Sequence, residues 1–501
     1  MDGFRVFINF VCICIFATGP MRLSDFITLG NTMGGGGAVA TLVHGDLVTS
    51  VIASARAGIA NTAHGEPTHT SAAMSSLAAS SNMNNAATAD SASALWRWQS
   101  TITPDSNTDD WKLGSAVSIH QRTLAVGPAR DWDIGVDQGG VQLYTRSGLN
   151  WLQSTGLAHP SRDIHAQYGS SVCLQNKILL VGAPRDSQDA CESGAAYVYE
   201  QVDDQWHLGD TLLRLPPNEG DQFGAAVACN TNTLVIGAPK ANQGAEDSGA
   251  VEVFERGAHG WLHVATLVAN PPTAGALFGL SVAIDGDHII VGAPGDRTDG
   301  TFSGRASIFT RTPNGWTRQT TLSCPVGGRG WFGHAVATSQ GRVLVGAPRL
   351  TRANQTDFDA RGAAFEFQYT SAGWQHVATI TPANTLEGDS FACSLALHQQ
   401  RAVFGASSDS LAGRLAGAAF AGARMGDGVW NVQRLRAPDC AQEQLAGHAV
   451  AIFGSSIAVG RLGNPEEDPA PGAVSLFSLI QPQVTQEDLL TTSSMGRKAA
   501  P

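Results

Sequence analysis

Short stretches of alternating apolar and polar residues recur seven times between residues 95 and 479. Each repeat spans about 55 residues and holds four such stretches, which we label A to D in the order of the repeat. In the third copy, A is FGAAV, B ends in IGAP, C is GAVEVF and D begins at Trp261. Alternation with a period of two predicts β-strands. Four short strands in a repeat of this length are typical of one blade of a β-propeller.

The spacing inside the repeat is constant. The glycine that opens A (alanine in one copy) and the glycine that ends B lie 13 residues apart in all seven copies. In every copy, Ala or Ser stands two residues after the position that opens A. The innermost strand therefore has room only for a small side chain where the blades converge. The B glycines are Gly127, Gly182, Gly237, Gly292, Gly346, Gly405 and Gly460.

The two ends of the repeat region complement each other. The first copy begins with a lone D stretch at Trp96, and the last copy stops after its C stretch, GAVSLF. The first stretch can therefore supply the outer strand of the seventh blade and close the ring. We predict an all-β fold, a seven-bladed propeller of four-stranded antiparallel blades closed by an N-terminal outer strand.

The rest of the chain differs in composition. Residues 1–20 contain an apolar run from Val6 to Ala17, too short to span a bilayer but suited to a signal peptide or an anchor. A start codon placed upstream of the true start, at Met21 or Met33, is the alternative. Residues 21–94, rich in Gly, Ala, Ser, Thr and Asn, predict a low-complexity linker, and residues 480–501 a disordered tail. The propeller is predicted over 95–479.

Composition excludes several classes of protein. The chain is 43% hydrophobic, which is enough for a large core, and its net charge of −12 argues against nucleic-acid binding. It has no apolar run of 18 residues, so we do not expect an integral membrane protein apart from the possible N-terminal anchor. We expect a monomer that is secreted or at the cell surface, and periplasmic if bacterial.

The paired motifs Phe223-Gly224 with Gly237-Ala238-Pro239 resemble the FG-GAP repeat of integrin α-subunit propellers and related bacterial proteins. The resemblance covers about 385 of 501 residues and implies that the face formed by the B–C and D–A loops takes the ligand. Integrin-type repeats often carry a calcium loop between the two motifs. Here only Asp285 and Asp287 approach that pattern, and two carboxylates cannot supply the six to eight oxygens that calcium takes. We therefore expect no cofactor.

The loops of that face are rich in carboxylates. They hold 26 of the 43 acidic residues against 12 basic ones, which would suit a cation, a basic partner or a polyol. An aspartate recurs four residues after the B glycine in four copies and is our candidate ligand-binding set; the alternative is that each caps its own turn. These residues are Asp131, Asp186, Asp296 and Asp409.

Two further groups of residues leave alternatives open. His334, Cys393 and His448 occupy equivalent positions in consecutive blades, which makes a metal site conceivable, with ordinary packing as the alternative. The cysteines of the repeats show no common spacing, so no disulfide framework can be read from them. They are Cys173, Cys191, Cys229, Cys324, Cys393 and Cys440.

The function predicted from these features is non-catalytic binding of a protein or glycan ligand through the loop face. One alternative is a carbohydrate-active or phosphoester-cleaving enzyme, which would need a deep pocket with convergent titratable groups. A second is a structural module of a surface assembly, which would present exposed apolar rims.

Overall fold

The computed structural model describes residues 95–104, 112–129, 139–161, 165–188, 190–298, 302–350, 361–463 and 472–480. The chain divides into two units, residues 1–91 and 92–501, and all described residues belong to the second. The predicted signal peptide and linker therefore lie outside the described residues, as does the tail beyond Ile480.

Seven four-stranded antiparallel sheets form the described part of the chain, and they confirm the predicted fold. Blade 1 consists of β2 (Lys112–His120), β3 (Thr123–Ala129), β4 (Gly140–Ser147) and β5 (Asn150–Ala158). Blade 2 consists of β6 (Ser171–Gln175), β7 (Ile178–Ala183), β8 (Ala195–Val202) and β9 (Gln205–Leu212). Blade 3 consists of β10 (Ala226–Cys229), β11 (Thr233–Ala238), β12 (Ala250–Gly257) and β13 (Gly260–Leu267).

The other blades repeat this order. Blade 4 holds β14 (Ser281–Asp285), β15 (His288–Ala293), β16 (Arg305–Thr312) and β17 (Gly315–Ser323). Blade 5 holds β18 (Ala335–Ser339), β19 (Arg342–Ala347), β20 (Ala363–Thr370) and β21 (Gly373–Ile380). Blade 6 holds β22 (Phe391–His398), β23 (Arg401–Ala406), β24 (Ala418–Arg424) and β25 (Trp430–Leu435). Blade 7 holds β26 (Val450–Phe453), β27 (Ser456–Arg461), β28 (Ala473–Ile480) and the N-terminal strand β1 (Leu95–Ile102).

The ring closes through β1, as the sequence predicts. Strand β1 pairs antiparallel with β28, from Trp96 opposite Leu479 to Ile102 opposite Val474. Gln433 of blade 6 also accepts a hydrogen bond from the Trp96 amide at 3.0 Å and donates one to its carbonyl at 2.9 Å. The N-terminal strand is therefore held by the blade it completes and by the preceding blade.

The core is divided among the interfaces between blades. The described residues form seven apolar clusters, and each cluster draws its side chains from two consecutive blades, including blades 7 and 1. Burial of these apolar faces is the main term that holds the ring together. Because every blade shares its core with both neighbours, an open ring would expose two half-interfaces to water.

Close backbone contact explains the small residues of the innermost strands. A Cβ added to Gly182 would lie 2.0 Å from the carbonyl oxygen of Gly224 in the next blade. Beside it, the Ser171 hydroxyl donates a 2.7 Å hydrogen bond to that same carbonyl. Ser281 and Ser394 make the equivalent bonds to Gly333 and Gly447, each at 2.8 Å. The B glycine position therefore admits only glycine, and the position of Ser171 admits only alanine or serine, as expected from the sequence.

Candidate ligand-binding face

The B–C and D–A loops lie side by side, as the sequence predicts. Gly194, at the end of a B–C loop of blade 2, forms a parallel bridge with Phe223, at the end of the following D–A loop. Gly249 and Phe278 repeat this bridge one blade further on. Farther out, Gly220 N donates to the Cys191 carbonyl at 3.0 Å. Alternating loops of the two kinds therefore build one continuous face of the propeller, which we call the loop face.

The recurring aspartates are buried at the base of this face. Asp186, Asp296 and Asp409 are at most 4% exposed. One carboxylate oxygen of each accepts the amide N–H two residues further on, at 3.0 Å from Gln188, 2.8 Å from Thr298 and 2.9 Å from Leu411. The turn-capping role that the sequence left open is thus present in all three. Asp131 lies outside the described residues, and ligand binding by any of the four stays a prediction.

Asp186 also binds side chains from neighbouring elements. Asp186 accepts a 2.8 Å hydrogen bond from His159 and a further one from the Tyr197 hydroxyl. Burial alone would raise the pKa of Asp186, but the hydrogen bonds from His159 and Tyr197 outweigh it and the pKa is lowered. Asp186 therefore stays ionised near neutral pH and ties the loops of blades 1 and 2 together.

Blade 3 replaces that pair by an ion triad. Ala241 stands at the aspartate position and Arg214 at the position of His159. Arg214 is 3% exposed and lies 2.5 Å from Asp221 and 3.0 Å from Glu252. A buried cation needs such partners, since an unpaired one would be strongly destabilising. Asp221 and the buried Asp186, Asp296 and Asp409 serve the scaffold, so the loop face is less acidic than the count of its carboxylates implies.

Family comparison adds to this geometry. The model of the FG-GAP repeat matches residues 161–199, 217–254, 261–309 and 374–421. These segments run through the innermost three strands of blades 2, 3, 4 and 6. The chain therefore contains FG-GAP repeats. No curated protein matches it.

The calcium positions of an integrin-type FG-GAP repeat would lie in the turns opposite the loop face. Asp285 ends β14 in such a turn, and its carboxylate accepts the Gln340 amide of blade 5 at 2.5 Å. Within the described ranges, no group of three or more His, Cys, Asp or Glu residues converges as a metal site would require. The absence of a cofactor stays a prediction.

The candidate His–Cys–His set lies half-buried at the start of the innermost strands of the FG-GAP propeller. The His334 ring nitrogen Nδ1 lies 3.1 Å from the carbonyl oxygen of Cys393, and the Cys393 thiol points to Ser407 and Gly447 instead. Burial lowers the pKa of both His334 and His448 to about 4, so both imidazoles are neutral at pH 7. His334 thus meets Cys393 at its backbone carbonyl and not at its thiol.

A cavity of about 190 Å³ opens between blades 6 and 7, and no sequence pattern predicts it. It is bounded by Leu411 and Ala412 of a B–C loop, by Cys440 of a D–A loop, and by Ser475 of β28. The Ser475 hydroxyl is buried and has no hydrogen-bond partner among the described residues. Buried hydroxyls are nearly always satisfied, so this one is available to a ligand or an ordered water.

Arg434 also lines the cavity and is held in place. Its two terminal nitrogens bind the two carboxylate oxygens of Asp409, in the bidentate geometry that guanidinium favours. Asp389 is nearby, and burial together with the charge of Asp409 raises the pKa of Asp389 to about 6. The cavity therefore has apolar walls and two polar groups, the Arg434 guanidinium held by Asp409 and the Ser475 hydroxyl.

Asp389 makes the stability of this region pH-dependent. Its pKa is higher in the folded protein than in the unfolded chain, so its contribution to the free energy of unfolding falls as the pH rises from about 4 to about 6. Asp389→Asn removes the buried charge, and we expect it to raise stability by about 1 kcal/mol at pH 7.5 and to give no gain at pH 4. Urea unfolding at both pH values measures this.

The exposed carboxylate Glu219, changed to Gln, is the control for Asp389→Asn. It should alter the unfolding midpoint little at either pH. A gain for Asp389→Asn that is equal at pH 4 and pH 7.5 would contradict the assignment.

Proposed function

We propose that this FG-GAP propeller is a non-catalytic binding module that recognises a protein or glycan ligand through its loop face. The observation that supports this most is the cavity between blades 6 and 7. It opens among loops of both kinds and presents the Ser475 hydroxyl and the Arg434 guanidinium between apolar walls. Binding sites for small groups combine apolar lining with a few fixed polar atoms in this way.

The size of the cavity favours one end of a larger ligand. Its volume of about 190 Å³ lies below the range of roughly 300–1,000 Å³ typical of sites that enclose a drug-sized molecule. A single sugar ring or one side chain of a protein partner suits such a space. The rest of the ligand would then lie across the neighbouring loops.

The titratable groups of the cavity support binding more than catalysis. Burial raises the pKa of the Cys440 thiol, which reduces its thiolate fraction and hence its nucleophilicity. The Arg434 guanidinium is already held in an ion pair with Asp409. An enzyme acting at the channel mouth, on carbohydrates or phosphoesters, remains the alternative.

An extracellular or surface location is part of this proposal. It is supported by the apolar segment Val6–Ala17 near the start of the chain. In the described residues, no helix is long and apolar enough to cross a membrane.

The test is a binding screen of the full chain on glycan and cell-surface protein arrays, followed by affinity measurements on the hits. Ala412→Arg places a long charged side chain at the exposed edge of the cavity, and we expect it to weaken binding at least tenfold. Asn232→Arg introduces the same side chain at an exposed turn outside the loop face and should leave affinity unchanged.

The reverse pattern, with binding lost on Asn232→Arg and kept on Ala412→Arg, would move the site away from the loop face. Turnover of an arrayed glycan or phosphoester by the wild-type chain would instead favour the enzyme alternative. Thermal unfolding of both variants shows whether either substitution acts through stability.

A further inference from the structure

Two cysteines from consecutive blades meet near the propeller axis. Cys173 lies on β6 and Cys229 on β10, the innermost strands of blades 2 and 3. Their sulfur atoms are 2.6 Å apart, and the Cys229 amide lies 3.0 Å from the Cys173 sulfur. A disulfide has an S–S length of about 2.05 Å, so the sulfurs would need to approach by only about 0.6 Å.

The other blade interfaces show that packing does not demand sulfur here. Cys173 is four residues after the A glycine of its blade, and Cys229 is five residues after the A glycine of the next. The same pair of positions elsewhere carries a small or hydroxyl side chain opposite a larger one: Ser118 with Leu174, Ala228 with Ile284, Ala283 with Thr338, Ala337 with Leu397, Ala396 with Ile452, and Ala451 with Ile119. Alanine opposite isoleucine therefore fills the same space without reactive chemistry.

The two thiols differ in their access to solvent. Cys173 is half-buried, whereas Cys229 is 7% exposed. Burial raises the pKa of the Cys229 thiol, so Cys173 is the group that an external reagent reaches first.

We propose that Cys173 and Cys229 are a redox pair that forms a reversible disulfide between blades 2 and 3. The oxidant is a small-molecule disulfide such as oxidised glutathione. The Cys173 thiolate attacks one sulfur of the reagent, its S–S bond breaks, and one reduced thiol leaves. The Cys229 thiolate then attacks the Cys173 sulfur of the mixed disulfide and displaces the second reduced thiol. Overall, two protein thiols are oxidised to one disulfide, and one small-molecule disulfide is reduced to two thiols. The two protons lost by the protein thiols are taken up by the two leaving thiolates.

The bond would act on the ring as a cross-link. It joins residues 56 apart in the chain and ties two innermost strands at one interface. Closing a loop of this length restricts the unfolded chain, so the oxidised protein is more stable than the reduced one. Oxidation and reduction would therefore control whether blades 2 and 3 are covalently linked.

Peptide mapping tests the proposal on the full chain. The protein is incubated with oxidised or reduced glutathione, then denatured in iodoacetamide and digested with trypsin. Cys173 falls in the tryptic peptide 163–177 and Cys229 in 215–240, each containing no other cysteine. We expect a linked 163–177/215–240 pair in the oxidised sample only, and a melting temperature higher by on the order of 5 °C in that sample.

Controls come from the residues of the other interfaces. Cys173→Ala and Cys229→Ile introduce the side chains found at equivalent positions, so both variants should fold, yield no linked pair and melt at one temperature in either glutathione. Cys324 is a buried thiol in the D–A loop that follows blade 4, and it should be alkylated in both the oxidised and the reduced sample. Full alkylation of Cys173 and Cys229 after oxidation, or linkage of either one to a different cysteine, would overturn the proposal.

Discussion

Gly237→Ala should destabilise the propeller by about 3 kcal/mol or more, although it adds a single methyl group. The new Cβ would lie 2.0 Å from the carbonyl oxygen of Gly279 and 3.0 Å from its carbonyl carbon. Those atoms are backbone, and the Gly279 amide is itself bonded to the Gly292 carbonyl at 3.0 Å. The contact cannot be relieved by a side-chain rotation, so blades 3 and 4 must separate.

Gly156→Ala is the matched control for this substitution. Gly156 lies in β5, an outer strand, and an added Cβ there would meet nothing within 4 Å. The free energy of unfolding of this variant should lie within about 0.5 kcal/mol of the wild-type value or slightly above it, because alanine restricts the unfolded chain more than glycine does. Urea unfolding measures both. Equal stabilities for Gly237→Ala and Gly156→Ala would show that the blades are not in backbone contact at the B glycine.

Trp96→Ala should cost about 3–5 kcal/mol, the range for removing a large buried aromatic side chain. Trp96 is 6% exposed and belongs to the apolar cluster between blades 6 and 7. It is also on the strand that completes blade 7 from the opposite end of the repeat region. Loss of its side chain therefore weakens the joint on which the closed ring depends.

Trp98 provides the comparison within the same strand. It is 38% exposed, and its indole nitrogen bonds Thr101 at 3.2 Å on the surface. Trp98→Ala should cost less than about 1 kcal/mol. Thermal and urea unfolding distinguish the two variants. If Trp98→Ala proved the more damaging of the pair, the closure of the ring by Trp96 would be wrong.

Much of the fold could be predicted because each repeat carries its own strand pattern. Seven copies at a constant spacing define the blades, and the unmatched stretches at the two ends define how they join. The glycine and serine positions were predictable for the same reason, since a contact that recurs between every pair of blades leaves the same small residue in every copy.

The chemistry of the site was less predictable, because it depends on residues that differ between copies. Asp186 binds His159 and Tyr197, whereas Asp409 binds Arg434, although both aspartates hold the same position in the repeat. A pattern common to the copies cannot reveal partners that change from copy to copy. One signal was available for the cysteine pair: Cys173 and Cys229 are 56 residues apart, close to one repeat.

The sequence by itself determined the number of blades, their strand order and the closure of the ring, because these follow from periodicity and from the side-chain volume tolerated between strands. Only the tertiary structure decided which carboxylates are buried, where the cavity opens and which thiols touch. Those features arise where two blades meet, and the distance between two side chains from different repeats is set by the packing of the whole ring.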